Sequence, residues 1–165
     1  MSWLQLTPEP KAIIVTTNLV APIRRARDQD AAEIARLLTL LGHPADTEAV
    51  AGRWMEWEAA GNFALVAPKD DGRLAGLATL HQMLVLHRPR PVGRITALVV
   101  DLPLRGQGIG SALVAAAEAT LTRGGCGLIE ITSNVRLAEA HVFYERLGYE
   151  RTSFRFAKVV AGALH

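Results

Sequence analysis

A glycine-rich segment holds the residues of this 165-residue chain whose types and spacing could do chemistry. Glycines stand at positions 106, 108 and 110, where a run of apolar residues at helical spacing begins. Bare backbone N–H groups at the start of a helix attract anions, and the helix dipole adds to this. Arg105 beside them can bind a phosphate through two hydrogen bonds. The segment predicts a phosphate or pyrophosphate site, and the alternative is a tight turn that only needs glycine.

Two familiar phosphate-binding loops fit this segment less well. A P-loop ends in Gly-Lys-Ser/Thr, which the chain lacks. The dinucleotide fingerprint comes closer, as Gly106-x-Gly108-x-x-Ser111, with Glu130 about twenty residues beyond the loop, where a ribose-binding acid is sought. However, the residues from Asp101 to Arg105 separate the preceding strand from the first glycine, and only one strand–helix–strand unit is available. A dinucleotide-dependent oxidoreductase is therefore a distant alternative.

Composition and charge exclude several classes of protein. Half of the residues are apolar and 21% are charged, which is typical of one globular domain. The net charge is only +2, and the pairs Arg24-Arg25 and Arg88/Arg90 are too few basic residues for a nucleic-acid partner. Cys126 is the single cysteine, so no disulfide within the chain and no cysteine metal site is expected. Without a membrane-spanning run or a signal peptide, we expect no membrane partner and a cytoplasmic protein.

The elements that must position the glycine segment follow from periodicity and turn signals. They are a strand at 23–26, a helix after Asp28 or Asp30, a second helix from Asp46 or Thr47 to Gly61, strands at 63–67 and 74–86, a strand at 94–100, the helix after the glycines, a strand at 128–132, a helix at 137–147 and a last strand at 149–160. This order predicts one α/β domain over residues 21–160. Residues 1–20 would form an N-terminal arm, partly disordered, and residues 161–165 a C-terminal tail.

Two motifs resemble those of the GCN5-related N-acetyltransferase (GNAT) superfamily. The segment from Arg105 to Gly110 resembles the coenzyme A motif Arg/Gln-x-x-Gly-x-Gly/Ala, and residues 140–149 resemble the motif Ala-x-x-Phe-Tyr-x-x-x-Gly-Phe/Tyr. The resemblance implies a GNAT-like α/β (α+β) single domain. Its mixed, mostly antiparallel twisted sheet would have about six to seven strands, splayed at the cofactor site and flanked by about four helices. It also implies that the chain transfers an acetyl group from acetyl-CoA to a primary amine, directly and in a ternary complex.

The resemblance assigns the cofactor to two groups of residues. Backbone groups of Leu98, Val99 and Val100 would bind the pantetheine arm. The pyrophosphate would lie on Arg105, Gly106, Gln107, Gly108, Ile109, Gly110 and Ser111, and capping of the helix is the alternative role for Ser111. In the second motif Ala140 and Phe143 would contact the cofactor. Asn134 and Arg136 are expected to replace an asparagine that the family often has where Leu137 stands here.

Catalytic groups are also implied by the resemblance. Tyr144 would protonate the departing thiolate, and packing beside Phe143 is the alternative. Many family members use a glutamate as general base on the strand before the loop, but this strand has only Thr96 and Asp101. His81 and His87 are the candidate bases, because a separation of six residues puts both on the same face of an undistorted strand.

The motifs do not distinguish between classes of acceptor. A small-molecule amine and a protein amine both fit, and a homodimer through the last strand or the N-terminal arm stays open. No metal is expected. The alternative function is a non-catalytic acyl-CoA-binding sensor or regulatory module, which could dispense with a general base.

Overall fold

The computed structural model describes residues 21–160 of the chain. Five strands and four α-helices follow one another in the order β1 (Arg24–Arg25), α1 (Ala31–Leu40), α2 (Thr47–Ala59), β2 (Asn62–Pro68), β3 (Leu74–Met83), β4 (Val92–Val100), α3 (Ile109–Arg123), β5 (Leu128–Ile131) and α4 (Ala138–Arg146). The arm predicted at 1–20 and the tail predicted at 161–165 lie outside the described residues.

The strands form one mixed sheet in sequential order, β1-β2-β3-β4-β5. Strands β1 to β4 pair antiparallel, and β5 lies parallel to β4 after the crossover through α3. Short turns suffice for the antiparallel pairs, whereas the parallel pair needs the helix between its strands. The predicted fold class is confirmed, with five strands in the described residues instead of six or seven.

Each face of the sheet carries its own apolar core. Helix α3 packs on one face through Ile109, Leu113 and Leu121, with Phe143 of α4 and Leu147, just after α4, at the rim of the same core. Helices α1 and α2 cover the other face, where Leu37 and Trp54 contact strand residues such as Val66, Leu77 and Val99. Alternate residues of each strand therefore belong to opposite faces.

Capping and ion pairs fix the early helices. The side chain of Asp46 accepts a 2.7 Å hydrogen bond from the N–H of Ala49, which confirms the predicted start of α2. In α1, Arg36 Nη2 donates to the Leu74 carbonyl and Glu33 Oε2 accepts from the Leu74 N–H, both at 2.9 Å. The hydrogen bond from Arg36 is the main cause that holds the pKa of Glu33 below its usual value. These contacts tie α1 to the start of β3.

One predicted strand is absent from the part of the chain that the structure describes, and another ends earlier than predicted. Residues 149–160 form no strand, and the side chains of Phe154 and Phe156 are 86% and 93% exposed. Their alternation is strand-like, but within the described residues no neighbouring strand pairs with them. Strand β3 ends at Met83 instead of Leu86, because the chain turns where the Arg88 N–H donates to the Val85 carbonyl.

Candidate active site

The sheet opens between β4 and β5. The two strands pair from Val92–Leu128 to Ile95–Ile131, and in the described residues β4 continues to Val100 with no partner on that side. The opening coincides with a β-bulge, since Leu80 pairs with Ile95 but Thr79 pairs with Ala97. The extra residue, Thr96, bends the strand and increases its twist at that point.

Backbone groups of Leu98 and Val100 line this opening. The N–H of Asp101 donates to the Ala75 carbonyl of β3, so by alternation Val99 also faces β3 while Leu98 and Val100 face away from it. Consistent with this, Arg105 Nε donates to the Val100 carbonyl at 3.2 Å. Of the three residues predicted for the pantetheine arm, Leu98 and Val100 form what we call the open edge. Val99 instead buries its side chain in the core under α1 and α2.

The glycine loop, residues 105–110, turns from the end of β4 into α3. Gly106 and Gly108 have φ of +75° and +82°, a conformation that favours glycine, and Gly108 is the N-cap of α3 with no side-chain cap. A Cβ on Gly110 would lie 3.4 Å from Phe143 Cζ and 3.7 Å from Val100 Cγ2. These are ordinary contact distances, so they place Gly110, at the start of α3, next to both α4 and the open edge.

The remaining loop residues have separate roles. Ile109 is buried in the core under α3, so its contribution to a ligand would be its backbone. Gln107 is exposed and its Nε2 donates to the Pro103 carbonyl at 3.3 Å. Ser111 is the third residue of α3, and the structure gives it no capping hydrogen bond, because Gly108 holds the N-cap position. The alternative of Ser111 as helix cap is therefore wrong.

Helix α4 brings Tyr144 to the rim of the same core. Its ring contacts Phe143 edge-on at a centroid distance of 5.3 Å and Tyr149 at 6.2 Å. Burial raises the pKa of Tyr144, so its hydroxyl stays protonated at neutral pH. The Tyr149 hydroxyl is committed elsewhere, because it donates to Glu118 Oε1 at 2.8 Å. Tyr144 has no such bond within residues 21–160, which leaves a hydroxyl able to donate to a ligand.

The connection between β5 and α4 holds the other predicted cofactor residues. The Asn134 side chain accepts from the Arg136 N–H at 3.0 Å, and the Asn134 carbonyl accepts from His141 Nε2 at 2.9 Å. His141 is therefore a structural tie, and Arg136 stays exposed. Ala140 is half-buried on α4, one turn before Tyr144. Ser133 Oγ is buried and has no hydrogen-bond partner in the described residues, so this hydroxyl lacks a partner that buried polar groups usually have.

A row of polar side chains crosses four strands next to the opening. The register aligns Asn62 of β2 with His81 of β3, His81 with Arg94 of β4, and Arg94 with Glu130 of β5. Arg94 donates to Glu130 Oε1 through Nη2 and also through Nε, the latter at 2.8 Å. We call these four residues the polar row. It lies one residue pair before the last β4–β5 pair, on the sheet face covered by α1 and α2.

The two candidate bases, His81 and His87, lie in different surroundings. His81 Nδ1 lies 2.9 Å from Asn62 Oδ1, within the polar row. His87 is exposed in the turn after β3, so the expectation that it shares a strand face with His81 is wrong. Asp101 is buried and forms an ion pair with Arg36 at 3.2 Å, so we assign it a structural role and not that of a base. Sequence reasoning missed Asn62, because only the strand register shows that it faces a histidine.

Two further observations bear on the chemistry. Burial raises the pKa of the Cys126 thiol, which disfavours the nucleophilic thiolate and agrees with its place in the core. An open cavity of about 400 Å³ shares one residue, Asn62, with the polar row, and is lined by Arg25, Glu58, Gly61, Asn62, Phe63, Gln82, Leu84 and Pro91. Between residues 21 and 160 no cluster of His, Cys, Asp or Glu could hold a metal ion, and no helix is long and apolar enough to span a membrane.

Comparison with known families decides the identity of this fold. Residues 29–149 match the model of the acetyltransferase (GNAT) family. The chain belongs to this family. The acetyltransferase of Trypanosoma brucei has a similar solved structure, with a TM-score of 0.75, 25% identity and coverage of 84% of this chain and 98% of that one. Membership supports acyl transfer as the general chemistry of this protein, and the relatives below are N-acetyltransferases.

Two curated relatives act on small amines, according to their names. The aminoalkylphosphonate N-acetyltransferase of Salmonella typhimurium is 41% identical over 90 residues, which are 54% of this chain and 58% of that enzyme. This match therefore spans less than two thirds of the relative. The aminoglycoside N(6')-acetyltransferase type 1 of Stenotrophomonas maltophilia is 31% identical over 135 residues, 79% of this chain and 86% of that enzyme.

Proposed function

We propose that this protein is an N-acetyltransferase that transfers the acetyl group of acetyl-CoA to the primary amine of a small molecule. The observation that carries the proposal is the opening between β4 and β5, which places the open edge directly before the glycine loop. A pantetheine arm needs unpaired backbone groups, and a pyrophosphate needs bare amides at a helix N-terminus. The open edge supplies the first of these and the glycine loop the second, and the two are neighbours along the chain.

The residues present fit acetyl-CoA in three ways. The positive φ angles of Gly106 and Gly108 leave no side chain over the loop amides. Arg105 at the loop and Arg136 before α4 are exposed cations that can bind phosphate groups. The unpartnered Ser133 hydroxyl supplies a buried polar group that requires a ligand or water to be satisfied.

The chain's own groups supply each catalytic role in this proposal. An N–H of the open edge, at Leu98 or Val100, polarises the thioester carbonyl. His81 takes a proton from the acceptor ammonium, and the resulting neutral amine attacks the carbonyl carbon while the C–S bond breaks. Tyr144 donates its proton to the departing sulfur and regains one, through solvent, from the second proton that the attacking nitrogen loses as the amide forms. One amide and one thiol form, and one proton is released.

The acceptor class is proposed from the site and its relatives together. The cavity that Asn62 lines is open, and its lining combines the charged residues Arg25 and Glu58 with apolar residues, so it can hold the charged and the apolar parts of a small amine. The relatives' names point the same way, to an aminoalkylphosphonate and an aminoglycoside. A small polar amine is therefore the acceptor that we propose, rather than a lysine or N-terminus of a protein.

The test is acetyl transfer by the purified chain. Thiol release would be followed with acetyl-CoA and, in turn, an aminoalkylphosphonate, an aminoglycoside and a peptide with a free N-terminus, with mass spectrometry of the product. We expect release with at least one small amine and an N-acetylated product. Tight binding of acetyl-CoA without transfer to any amine would contradict the proposal and favour the acyl-CoA sensor. Binding of NADH in preference to acetyl-CoA would favour the oxidoreductase.

A further inference from the structure

Asn62 joins the end of α2 to the polar row through both atoms of its amide. Its Nδ2 donates to the carbonyl of Trp57 at 2.9 Å, and its Oδ1 lies 2.9 Å from His81 Nδ1. The Trp57 carbonyl is near the C-terminus of α2, where helical carbonyls lack partners within the helix. Asn62 therefore has a structural contact on one side and a titratable neighbour on the other.

These two contacts determine where the proton of His81 lies. A carbonyl oxygen can only accept, so the amide nitrogen of Asn62 must face Trp57. The amide oxygen must then face His81, and since it too can only accept, Nδ1 of the imidazole must carry the hydrogen. A neutral imidazole has one N–H, so the lone pair of His81 lies on Nε2.

The Nε2 side of the ring is available to a ligand. Within the described residues Nε2 makes no hydrogen bond, and it is not among the fully buried atoms that lack a partner, so part of its surface is exposed. The charged groups around it are Arg94 on β4, which is paired with Glu130 on β5, and Glu58 on α2, which is paired with Arg25. These pairs are internally neutralised, which leaves the Nε2 lone pair of His81 as the group in the row that can accept a proton from an amine.

We propose that Asn62 is a positioning residue that holds His81 in the Nδ1–H tautomer, so that Nε2 can accept the proton of the acceptor amine. The catalytic use of this arrangement rests on the proposed acetyl transfer. The tautomer itself is a property of the free protein. It can therefore be measured without acetyl-CoA or an acceptor.

Two substitutions separate positioning from the structural contact with α2. Asn62→Ala removes both hydrogen bonds of the amide. Asn62→Asp keeps an oxygen that accepts from Nδ1–H but has no N–H to donate to the Trp57 carbonyl. Both variants should lose thermal stability to a similar extent, whereas only Asn62→Ala should free the imidazole to populate both tautomers.

The first measurement is ¹⁵N NMR of His81, at a pH where the ring is neutral, in the wild type and both variants. We expect Nδ1–H in the wild type and in Asn62→Asp, and a mixture in Asn62→Ala. An Nε2–H tautomer in the wild type, or an unchanged tautomer in Asn62→Ala, would overturn the proposal. Because no substrate is present, this result is independent of whether the chain transfers acetyl groups.

The second measurement is the pH profile of kcat with the amine that gives thiol release. Asn62→Ala should lower kcat about tenfold, as expected for the loss of one hydrogen bond that orients a catalytic group. Asn62→Asp should recover most of this loss, with the acidic limb of the profile moved to higher pH because a carboxylate stabilises the charged imidazolium. Equal losses in the two variants, with no movement of the limb, would show that Asn62 only supports α2.

Discussion

The open edge and the polar row are neighbours in the sheet, but the open edge consists of backbone groups and the polar row of side chains. The open edge and the glycine loop use backbone groups of consecutive residues, from Leu98 to Gly110. The polar row uses one side chain from each of four strands. A backbone site tolerates changes of side chain provided that glycine stays where φ is positive, whereas a site made of side chains depends on the type of each residue in it. Substitutions should therefore act differently in the two regions.

The largest expected effect is the loss of acetyl-CoA binding in Gly108→Glu. A side chain at φ +82° is strained, and the carboxylate would repel the pyrophosphate at the helix N-terminus. We expect the dissociation constant measured by calorimetry to rise at least about 100-fold, equivalent to about 2.7 kcal/mol. Gly42→Glu is the matched control, because Gly42 has φ +94°, open space around its Cα, and lies at the end of α1. Equal losses in both variants would mean that strain, and not the phosphate site, causes the effect.

The next effect in size is expected at Tyr144, the proposed proton donor to the departing sulfur. Tyr144→Phe should lower kcat about 100-fold, as for loss of a general acid, while the affinity for acetyl-CoA stays the same. Tyr149→Phe serves as the control. It removes the hydrogen bond to Glu118, so it should lower the melting temperature and leave kcat nearly unchanged. If Tyr144→Phe keeps full kcat, another group protonates the sulfur.

His81→Gln tests the polar row by itself. We expect kcat/KM to fall about tenfold near neutral pH, and the acidic limb of its pH profile to disappear, because the base that must be deprotonated is gone. His43→Gln is the control, since His43 is exposed in the turn between α1 and α2. An acidic limb that persists in His81→Gln would assign the base to another group or to water.

The smallest expected effect is at Glu33, whose contacts tie α1 to the start of β3. The folded-state pKa of Glu33 is lowered, mainly by Arg36, so its contribution to stability is present above the ordinary pKa and is lost as the pH falls through the folded value. Glu33→Gln should reduce the free energy of unfolding by about 1 kcal/mol at pH 7, with a smaller difference in acid. Acetyl-CoA affinity at neutral pH should not change. Chemical denaturation at several pH values measures this, and a pH-independent difference would contradict it.

The local structure of the glycine loop could be predicted from the sequence, whereas the alignment of the polar row could not. The glycine loop, the start of α3 and the cap of α2 depend on residues close together in the chain, so local rules identify them. The polar row depends on the register of three strand pairs, and the bulge at Thr96 shifts one of them, the pairing of β3 and β4. No local pattern shows that Asn62 faces His81 or that Arg94 faces Glu130.

Two other differences between the sequence predictions and the structure also arise from pairing across the sheet. Residues 152–156 alternate as a strand would, yet strand formation needs a neighbour with free backbone groups, and the structure pairs none with them. Glu130 comes at the spacing of a ribose-binding acid, but it lies inside β5 and is bound to Arg94. Spacing along the chain shows that a residue could take a role, and pairing across the sheet determines whether it does.

Amide hydrogen exchange of β4, followed by NMR with and without acetyl-CoA, tests the central claim most directly. In the free protein the amides of Leu98 and Val100 should exchange faster than that of Val99, which faces β3. Acetyl-CoA should slow exchange at Leu98, Val100 and the glycine loop, and leave Val99 unchanged. If Leu98 and Val100 are already protected, or if acetyl-CoA protects only residues outside β4 and the loop, the opening between β4 and β5 is not the cofactor site.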